Sequence, residues 1–164
     1  MNPNGYSIAT CPEPIGDALR QDAIAFWLQH GAIPDPAEAA RRVDELVCIA
    51  RNTAGHIVGV STAYPTQLQT EAVPRFVYRM FVRERDRHLQ LACGIMRQSI
   101  EGLRQRRARR PAIAGLVLVA ENTKLNRRGG HRILRSLGWQ HVGADARGQD
   151  VWCFDFAPTT RQPG

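Results

Sequence analysis

The amino-acid sequence predicts an α/β domain built on a mixed β-sheet. Two observations lead to this fold class. The spacing of apolar residues switches repeatedly between the helical and the strand period, and no internal repeat or linker divides the 164 residues. The predicted order of elements is β, α, α, β, β, β, α, β, α, β, β. We expect one domain over residues 1–164, with flexible ends at 1–4 and 158–164.

The first elements are a short strand and two helices. We expect the strand over residues 6–10 and a helix over 17–30, where apolar side chains recur at four-residue steps. A second helix is expected to begin after Asp35, whose carboxylate can cap the first turn. Pro36 suits the first helical position, and Glu38 lies three residues after the cap, as in a capping box.

A change of period then predicts three strands. Residues 46–50 and 56–62 are rich in Val, Ile and Thr and are separated by the turn sequence NTAG at 52–55, which indicates an antiparallel hairpin. Residues 75–82 form a third strand, because large side chains alternate there between two faces. The stretch 65–74 between them is where we expect an acceptor-specific loop.

The remaining elements alternate between helix and strand. A helix is expected from Arg87, and its predicted buried stripe is Leu89, Cys93, Met96, Ile100 and Leu103. Residues 112–120 are almost continuously apolar, which is typical of a strand covered on both faces. The pair Gly129 and Gly130 is expected to precede a short helix that ends at Gly138, and two short strands close the chain.

Composition and cysteine spacing argue against several classes of protein. No apolar run approaches the roughly 20 residues that span a bilayer, and the N-terminus lacks the features of a secretion signal. We therefore predict a cytoplasmic protein with no membrane partner. The four cysteines lie far apart, without C-x-x-C spacing, and are expected to be reduced core side chains. The five histidines show no i, i+4 ligand pattern, and we predict no metal site.

Basic residues are concentrated in two groups, and the formal net charge is +7. The first group is Arg104, Arg106, Arg107, Arg109 and Arg110, and the second is Arg127, Arg128, Arg132 and Arg135. Such groups can attract nucleic acid, an acidic partner or the phosphates of a nucleotide cofactor. The alternative for residues 104–110 is a solvated helix end, since no aromatic residues interleave with these arginines to stack on bases.

Residues 81–92, with the sequence FVRERDRHLQLA, carry the strongest functional signal. A strand runs there through a charged turn into the start of a helix. Unpaired backbone N–H groups and the helix dipole make such a junction an anion-binding site. The spacing of Val82, Arg87 and Ala92 resembles the signature of the GNAT superfamily of N-acetyltransferases. In that signature a strand ending in Val is followed five residues later by Arg or Gln, which opens an R/Q-x-x-G-x-G/A loop.

The rest of the chain resembles the same family, so that the likeness covers nearly its whole length. The hairpin precedes the segment, the strand 112–120 follows it, and the last helix ends in LGW at 137–139, similar to the family's L-G-F. The resemblance implies a mostly antiparallel mixed sheet, flanked by helices, with a central parallel pair formed by 75–82 and 112–120. These two strands are expected to diverge and admit a thioester.

The resemblance also implies a co-substrate, acetyl-CoA or another acyl-CoA. Its pyrophosphate would lie on the backbone amides of residues 88–92, and its pantetheine arm would pair with the strand near Phe81 and Val82. A backbone N–H near Val82 would face the developing oxyanion. The residues expected to contact the co-substrate are Phe81, Val82, Arg87, His88, Leu89, Gln90, Leu91, Ala92 and Asn122.

Two positions depart from the family pattern. The central glycine of the loop is Gln90, whose side chain can narrow the phosphate site. The Tyr that the family often places four residues before the final Gly is Leu134. The candidate catalytic residues are therefore Tyr78 as acid and Glu121 as base. The alternatives are a packing role for Tyr78 and a solvated strand end for Glu121.

Two functions from different classes follow from these observations. The first is an acyl-CoA-dependent N-acyltransferase, with acetyl transfer to an unidentified amine. The second is a GNAT-fold binding or regulatory module without catalysis, with nucleic acid or an acidic protein as a partner through Arg104–Arg110. A second copy of the chain is a further candidate partner. Nothing in the sequence identifies the acceptor.

Overall fold

The protein is described by a computed structural model over residues 4–67, 73–122 and 125–156. The helices are α1 (Asp17–Gln29), α2 (Pro36–Arg42), α3 (Leu89–Arg107) and α4 (Arg128–Ser136). The strands are β1 (Ser7–Thr10), β2 (Leu46–Arg51), β3 (Ile57–Gln67), β4 (Pro74–Val82), β5 (Gly115–Val119), β6 (Gln140–Ala144) and β7 (Asp150–Asp155). This order confirms the predicted sequence of elements. The expected flexible ends fall almost entirely outside the described residues.

All seven strands belong to one sheet in the order β1-β2-β3-β4-β5-β7-β6. The pairs β1–β2, β2–β3, β5–β7 and β6–β7 are antiparallel, whereas β4 and β5 are parallel. The mixed, mostly antiparallel sheet with a central parallel pair is therefore confirmed. The parallel pairing covers Phe76↔Leu116 and Val77↔Val117, and it ends before Tyr78 and Leu118.

The described chain forms two compact units. The first comprises residues 4–63 and 79–106, and the second comprises residues 64–78 and 107–156. In the first unit, α1 and α2 cover one apolar cluster that includes Ala23, Phe26, Trp27, Ile33, Ala39, Val43, Leu46 and Val60. The predicted N-terminal cap of α2 is confirmed, since Asp35 accepts a hydrogen bond from the Ala37 amide at 3.1 Å and Pro36 begins the helix. The Glu38 carboxylate accepts a hydrogen bond from Arg41, and its capping box stays a prediction.

Helix α3 buries a different stripe from the predicted one. Leu89 is 56% exposed and Cys93 is half-buried, whereas Leu91, Ile95 and Ser99 are buried at four-residue steps. The other predicted members of the stripe, Met96, Ile100 and Leu103, are buried. The prediction started on the wrong row because it counted only apolar residues, and the true row contains a serine.

The buried serine is accommodated by hydrogen bonds. Ser99 donates to the Ile95 carbonyl at 2.6 Å, and Ser61 of β3 lies 2.7 Å from the Ser99 hydroxyl. The two hydroxyls thus satisfy each other inside the core, and either one can donate. On the same face, a Cβ at Gly59 would lie 2.8 Å from Ile95 Cδ1, so that glycine allows α3 to approach β3.

The second unit has an aromatic core and a buried ion pair. Trp139 lies 6.1 Å from Tyr78 and 5.8 Å from Phe154 between ring centroids. Arg75 Nη1 on β4 lies 2.8 Å from Asp155 Oδ1, and its side chain is only 10% exposed. A charge this deep is stable only with its partner in place, so Arg75 ties β4 to the end of β7.

Three boundaries in and beside this unit differ from the sequence expectation. Strand β5 is shorter than 112–120 because residues 110–113 form a turn, closed by a 3.1 Å hydrogen bond from the Ile113 amide to the Arg110 carbonyl. Gly129 and Gly130 lie inside α4 rather than before it; a Cβ at Gly130 would lie 2.5 Å from the Leu125 carbonyl oxygen. Strand β3 runs on to Gln67 and β4 begins at Pro74, so the acceptor-loop prediction for 65–74 is reduced to 68–72, outside the described residues.

Candidate functional site

The connection from β4 to α3 is a tight turn stabilised by its own backbone. After Val82 the chain forms a single 3₁₀ turn over Glu84–Asp86. The Arg87 amide donates to the Glu84 carbonyl at 3.3 Å, and the His88 amide donates to the Asp86 carbonyl at 2.8 Å. These bonds bring the chain round so that α3 begins at Leu89.

The first turn of α3 leaves backbone donors outside the helical ladder. The first i to i−4 bond is donated by the Ala92 amide to the His88 carbonyl at 3.1 Å. The amides of Leu89, Gln90 and Leu91 precede that bond and have no carbonyl within the helix to reach. Of the predicted phosphate-binding amides at 88–92, the first and the last are thus engaged. The middle three remain as the candidate donors for an anion.

A buried carboxylate braces this turn. Asp86 is 8% exposed and accepts a hydrogen bond from the Tyr6 hydroxyl at 2.8 Å and another from Arg83 Nε. Burial acts to raise the pKa of Asp86, but the bonds from Arg83 and Tyr6 outweigh it and hold the pKa below the ordinary value. The carboxylate is therefore charged at neutral pH. Sequence reasoning missed this network, because Tyr6 and Asp86 lie 80 residues apart.

Arg87 folds back over the end of β4. Its Nε donates to the Val82 carbonyl at 2.9 Å, and its guanidinium carbon lies 5.8 Å from the centre of the Phe81 ring. The side chain is otherwise exposed. Its Nη groups take no part in the bond to Val82, and the stacked geometry fixes the positive charge beside the turn.

Gln90, at the position of the family's central glycine, is exposed in the first turn of α3. Its side-chain oxygen accepts a hydrogen bond from the Asn4 side-chain amide. The side chain therefore turns toward the N-terminal segment at this point.

The predicted catalytic residues belong to the second unit, and they lie in contrasting surroundings. Tyr78 is only 1% exposed and packs against Trp139. Leu134, at the position of the family's Tyr, is also 1% exposed in α4. Glu121 and Asn122, by contrast, are exposed just after β5. The apolar environment of Tyr78 favours the packing alternative for that residue.

The second unit also holds a cluster that sequence reasoning missed. Asp150 on β7 accepts hydrogen bonds from His131 and His141, each at 2.9 Å from a ring Nε2. The two imidazoles stack with their centroids 5.6 Å apart, and both contact Trp152. The bonds from His141 and His131 hold the pKa of Asp150 below its ordinary value. No short spacing in the sequence links these three residues.

The basic groups and the cysteines have mainly structural surroundings. Arg106 donates to the Leu46 carbonyl at 2.9 Å and lies 3.3 Å from Glu13 Oε1, with 13% of its side chain exposed. The solvated-helix-end interpretation is therefore wrong for this member of the first group. Burial raises the pKa of Cys11 to about 11 and that of Cys48 to about 12, which makes both thiols inert.

Two further properties concern the described part of the chain as a whole. None of its helices combines the length and the apolar character that crossing a membrane requires. Within the same ranges, 4–67, 73–122 and 125–156, no cluster of His, Cys, Asp and Glu is arranged to hold a metal ion.

Comparison with solved structures identifies the architecture. A phosphinothricin acetyltransferase of the GNAT superfamily from Sinorhizobium meliloti, in complex with acetyl-CoA, aligns with a TM-score of 0.66 at 11% identity, covering 98% of this chain and 94% of that one. An acetyltransferase of the GNAT family from Streptococcus pneumoniae aligns with a TM-score of 0.63 at 12% identity, covering 92% and 99%. A mutant of the toxin AtaT, bound to acetyl-CoA and the C-terminus of the antitoxin AtaR, aligns with a TM-score of 0.53 at 11% identity, covering 91% and 93%.

Sequence comparison adds no closer relative. No protein-family model matches this chain, and no curated protein matches it. At identities of 11–12% the structural comparisons establish the fold, and the chain has the GNAT fold.

Proposed function

We propose that the protein is an acyl-CoA-dependent N-acyltransferase that transfers an acetyl group to an amine. The observation that carries this proposal is the group of amides at Leu89, Gln90 and Leu91, placed directly after β4 in a GNAT fold. These donors, together with the positive end of the α3 dipole, suit the pyrophosphate of CoA. We further propose that the chain acts as one domain and works in the cytoplasm.

The roles of the neighbouring residues follow from their positions on β4 and α3. Arg87 would place its charge near the phosphates, since its guanidinium is fixed over Phe81. The pantetheine arm would pair with the β4 backbone near Phe81 and Val82. Asp86 holds the turn that presents the amides, and it acts as a positioning residue rather than as a contact.

The reaction needs little from the side chains. The neutral amine attacks the thioester carbonyl, a tetrahedral intermediate forms, and the C–S bond breaks to release CoA as its thiolate. A backbone N–H of β4 would stabilise the oxyanion, and the proton from the amine would pass through water to a base. Glu121 is our candidate for that base because it is exposed. For Tyr78, burial favours packing over proton transfer.

Two measurements test the proposal. Calorimetry with acetyl-CoA should give saturable binding, and mass spectrometry should detect acetylated product in a panel of small amines, polyamines and peptides. Reversing the charge beside the amides, in Arg87→Glu, should weaken CoA binding, and Arg97→Glu is its matched control because Arg97 is an exposed arginine within α3. Absence of both binding and product would contradict the proposal.

The second candidate function is a GNAT-fold binding or regulatory module. It is favoured by the side chain of Gln90 in the first turn of α3 and by the burial of Leu134 where the family often has Tyr. Saturable CoA binding without turnover on any acceptor would support this function. The AtaT structure contains a protein partner, and for this chain an acidic protein at the arginine group 104–110 is a comparable proposal.

A further inference from the structure

A cleft of about 440 Å³ opens in the first unit, away from the amides at the start of α3. It is formed by one face of α1, the turn between β2 and β3, and the residues just after β4. None of residues 87–92 contributes to its lining. Its volume lies within the range of pockets that hold small organic ligands.

The charge of this cleft is strongly positive. Arg51, Arg83 and Arg85 line it against a single carboxylate, that of Asp22. Clustered guanidinium groups bind phosphate well, because their paired N–H donors match its oxygens. The exposed imidazole of His56 lies on the turn side of the cleft and adds another donor.

Two of the arginines are held in position before any ligand arrives. Arg51 donates to the Gly55 carbonyl at 2.7 Å, and its Nη2 lies 3.1 Å from Asp22 Oδ2. Arg83 is only 7% exposed and is bonded through Nε to Asp86, which lies outside the cleft lining. Arg85 differs from both, since its side chain is 74% exposed and lies 3.8 Å from Asp86. A preorganised pair beside one exposed arginine suits capture of an anion.

The rest of the wall combines the polar Gln29 with aromatic and apolar side chains. The rings of Phe26 and His30 pack with centroids 4.9 Å apart, and because Phe26 and Ile57 are buried, His30 offers most of the accessible ring surface. Such a wall favours a ligand that carries a flat ring or another apolar part in addition to its charge. The cleft thus selects for a ligand that carries both a negatively charged group and a ring.

We propose that this cleft is a second ligand site, which binds a small phosphate-bearing compound of about the size of a nucleoside monophosphate. The phosphate contacts Arg85, Arg51 and His56, and the apolar part lies against Phe26 and His30. The site goes beyond the proposed acyl transfer, since it shares no lining residue with the amides of α3.

The test uses AMP as the probe, with adenosine and inorganic phosphate for comparison. Calorimetry at low salt should show AMP binding more tightly than either. Equal binding of AMP and adenosine would overturn the proposal. Absence of any AMP binding would overturn it as well.

Four variants test whether AMP binds in the cleft. Arg85→Ala and His56→Ala, on different elements, should each weaken AMP binding by about tenfold or more, because each removes a contact to the phosphate. Arg147→Ala is the matched control, since Arg147 is 70% exposed and lies 3.7 Å from Asp145 in the second unit. Arg87→Glu should leave AMP affinity unchanged. Loss of AMP binding in Arg87→Glu, with Arg85→Ala unaffected, would place the ligand on α3 and refute the inference.

Discussion

The two units of this chain differ in how much of their candidate chemistry resides in the backbone. In the first unit, the donors at Leu89, Gln90 and Leu91 are main-chain amides, and they exist whatever side chains these residues carry. In the second unit, the positions where an acyltransferase would use side chains hold a buried Tyr78 and a buried Leu134. A site made of backbone amides depends on the conformation of its turn, whereas a site made of side chains can be lost through a single substitution.

This difference explains how a chain with the GNAT fold can keep the turn before α3 while its side chains at positions 78 and 134 are packed in a core. The turn before α3 is maintained by Asp86 and its two partners, so the presentation of the amides depends on that buried carboxylate. The aromatic core around Trp139 depends instead on apolar packing, which a Leu at position 134 serves well. The comparison leads to four predictions.

Removal of the brace should have the largest effect. Asp86→Ala leaves Arg83 buried without its partner, which we expect to lower the free energy of unfolding by about 3 kcal/mol. Urea denaturation measures this loss, and calorimetry should show weaker CoA binding in the folded protein. Asp44→Ala is the control: Asp44 pairs with Arg20 at the surface, and its loss should cost less than about 1 kcal/mol. Equal losses of unfolding free energy in Asp86→Ala and Asp44→Ala would contradict a role of Asp86 in stabilising the turn.

The second largest effect is expected from reversing the charge of Arg87, beside the amides at the start of α3. Arg87→Glu should weaken CoA binding by about a hundredfold, because a positive charge near the phosphates is replaced by a negative one. The free energy of unfolding should change little, since the side chain is exposed. Calorimetry compares this variant with Arg97→Glu, which reverses the charge of an exposed arginine within α3. Unchanged affinity in a folded Arg87→Glu protein would move the phosphate site elsewhere.

The third prediction concerns the second unit and the role of the Tyr78 hydroxyl. If the residue serves packing, Tyr78→Phe should leave turnover within about threefold of the wild type and leave CoA affinity unchanged. General acid catalysis is worth about a hundredfold or more. A hundredfold drop in turnover at constant CoA affinity would support Tyr78 as the catalytic acid. The second unit would then supply a catalytic side chain after all.

The cluster at Asp150 should make a small, pH-dependent contribution. Since the folded-state pKa of Asp150 is lowered by His141 and His131, its contribution to stability is complete above the unfolded pKa of about 3.9 and is lost as pH falls through the folded value. The stability difference between wild type and Asp150→Asn should therefore shrink between about pH 5 and pH 2. Urea denaturation at several pH values measures it. A difference that is constant across this range would contradict the assignment.

The sequence predicted the fold well because its evidence is local. The order of elements, the caps of α2 and the hairpin turn depend on neighbouring residues such as Asp35 and Gly55, and all of them were found. The site was predicted less completely, since its contacts join distant positions. Tyr6 and Asp86, or His131 and Asp150, show no spacing that a reader of the sequence can recognise. The buried row of α3 was missed because Ser99 is polar.

The burial of the cysteines has a practical consequence for enzymology. Acyl transfer releases the free thiol of CoA. A disulfide reagent that gives a coloured product with thiols can follow this release continuously. At pH 8, a thiol with the pKa of about 11 given for Cys11 is ionised to roughly one part in a thousand, and Cys48 is ionised even less. Only Cys93 is more than slightly accessible, and its pKa is raised by burial as well. In such an assay the folded protein should therefore contribute little colour. Colour that develops when the protein unfolds would come from its own cysteine thiols.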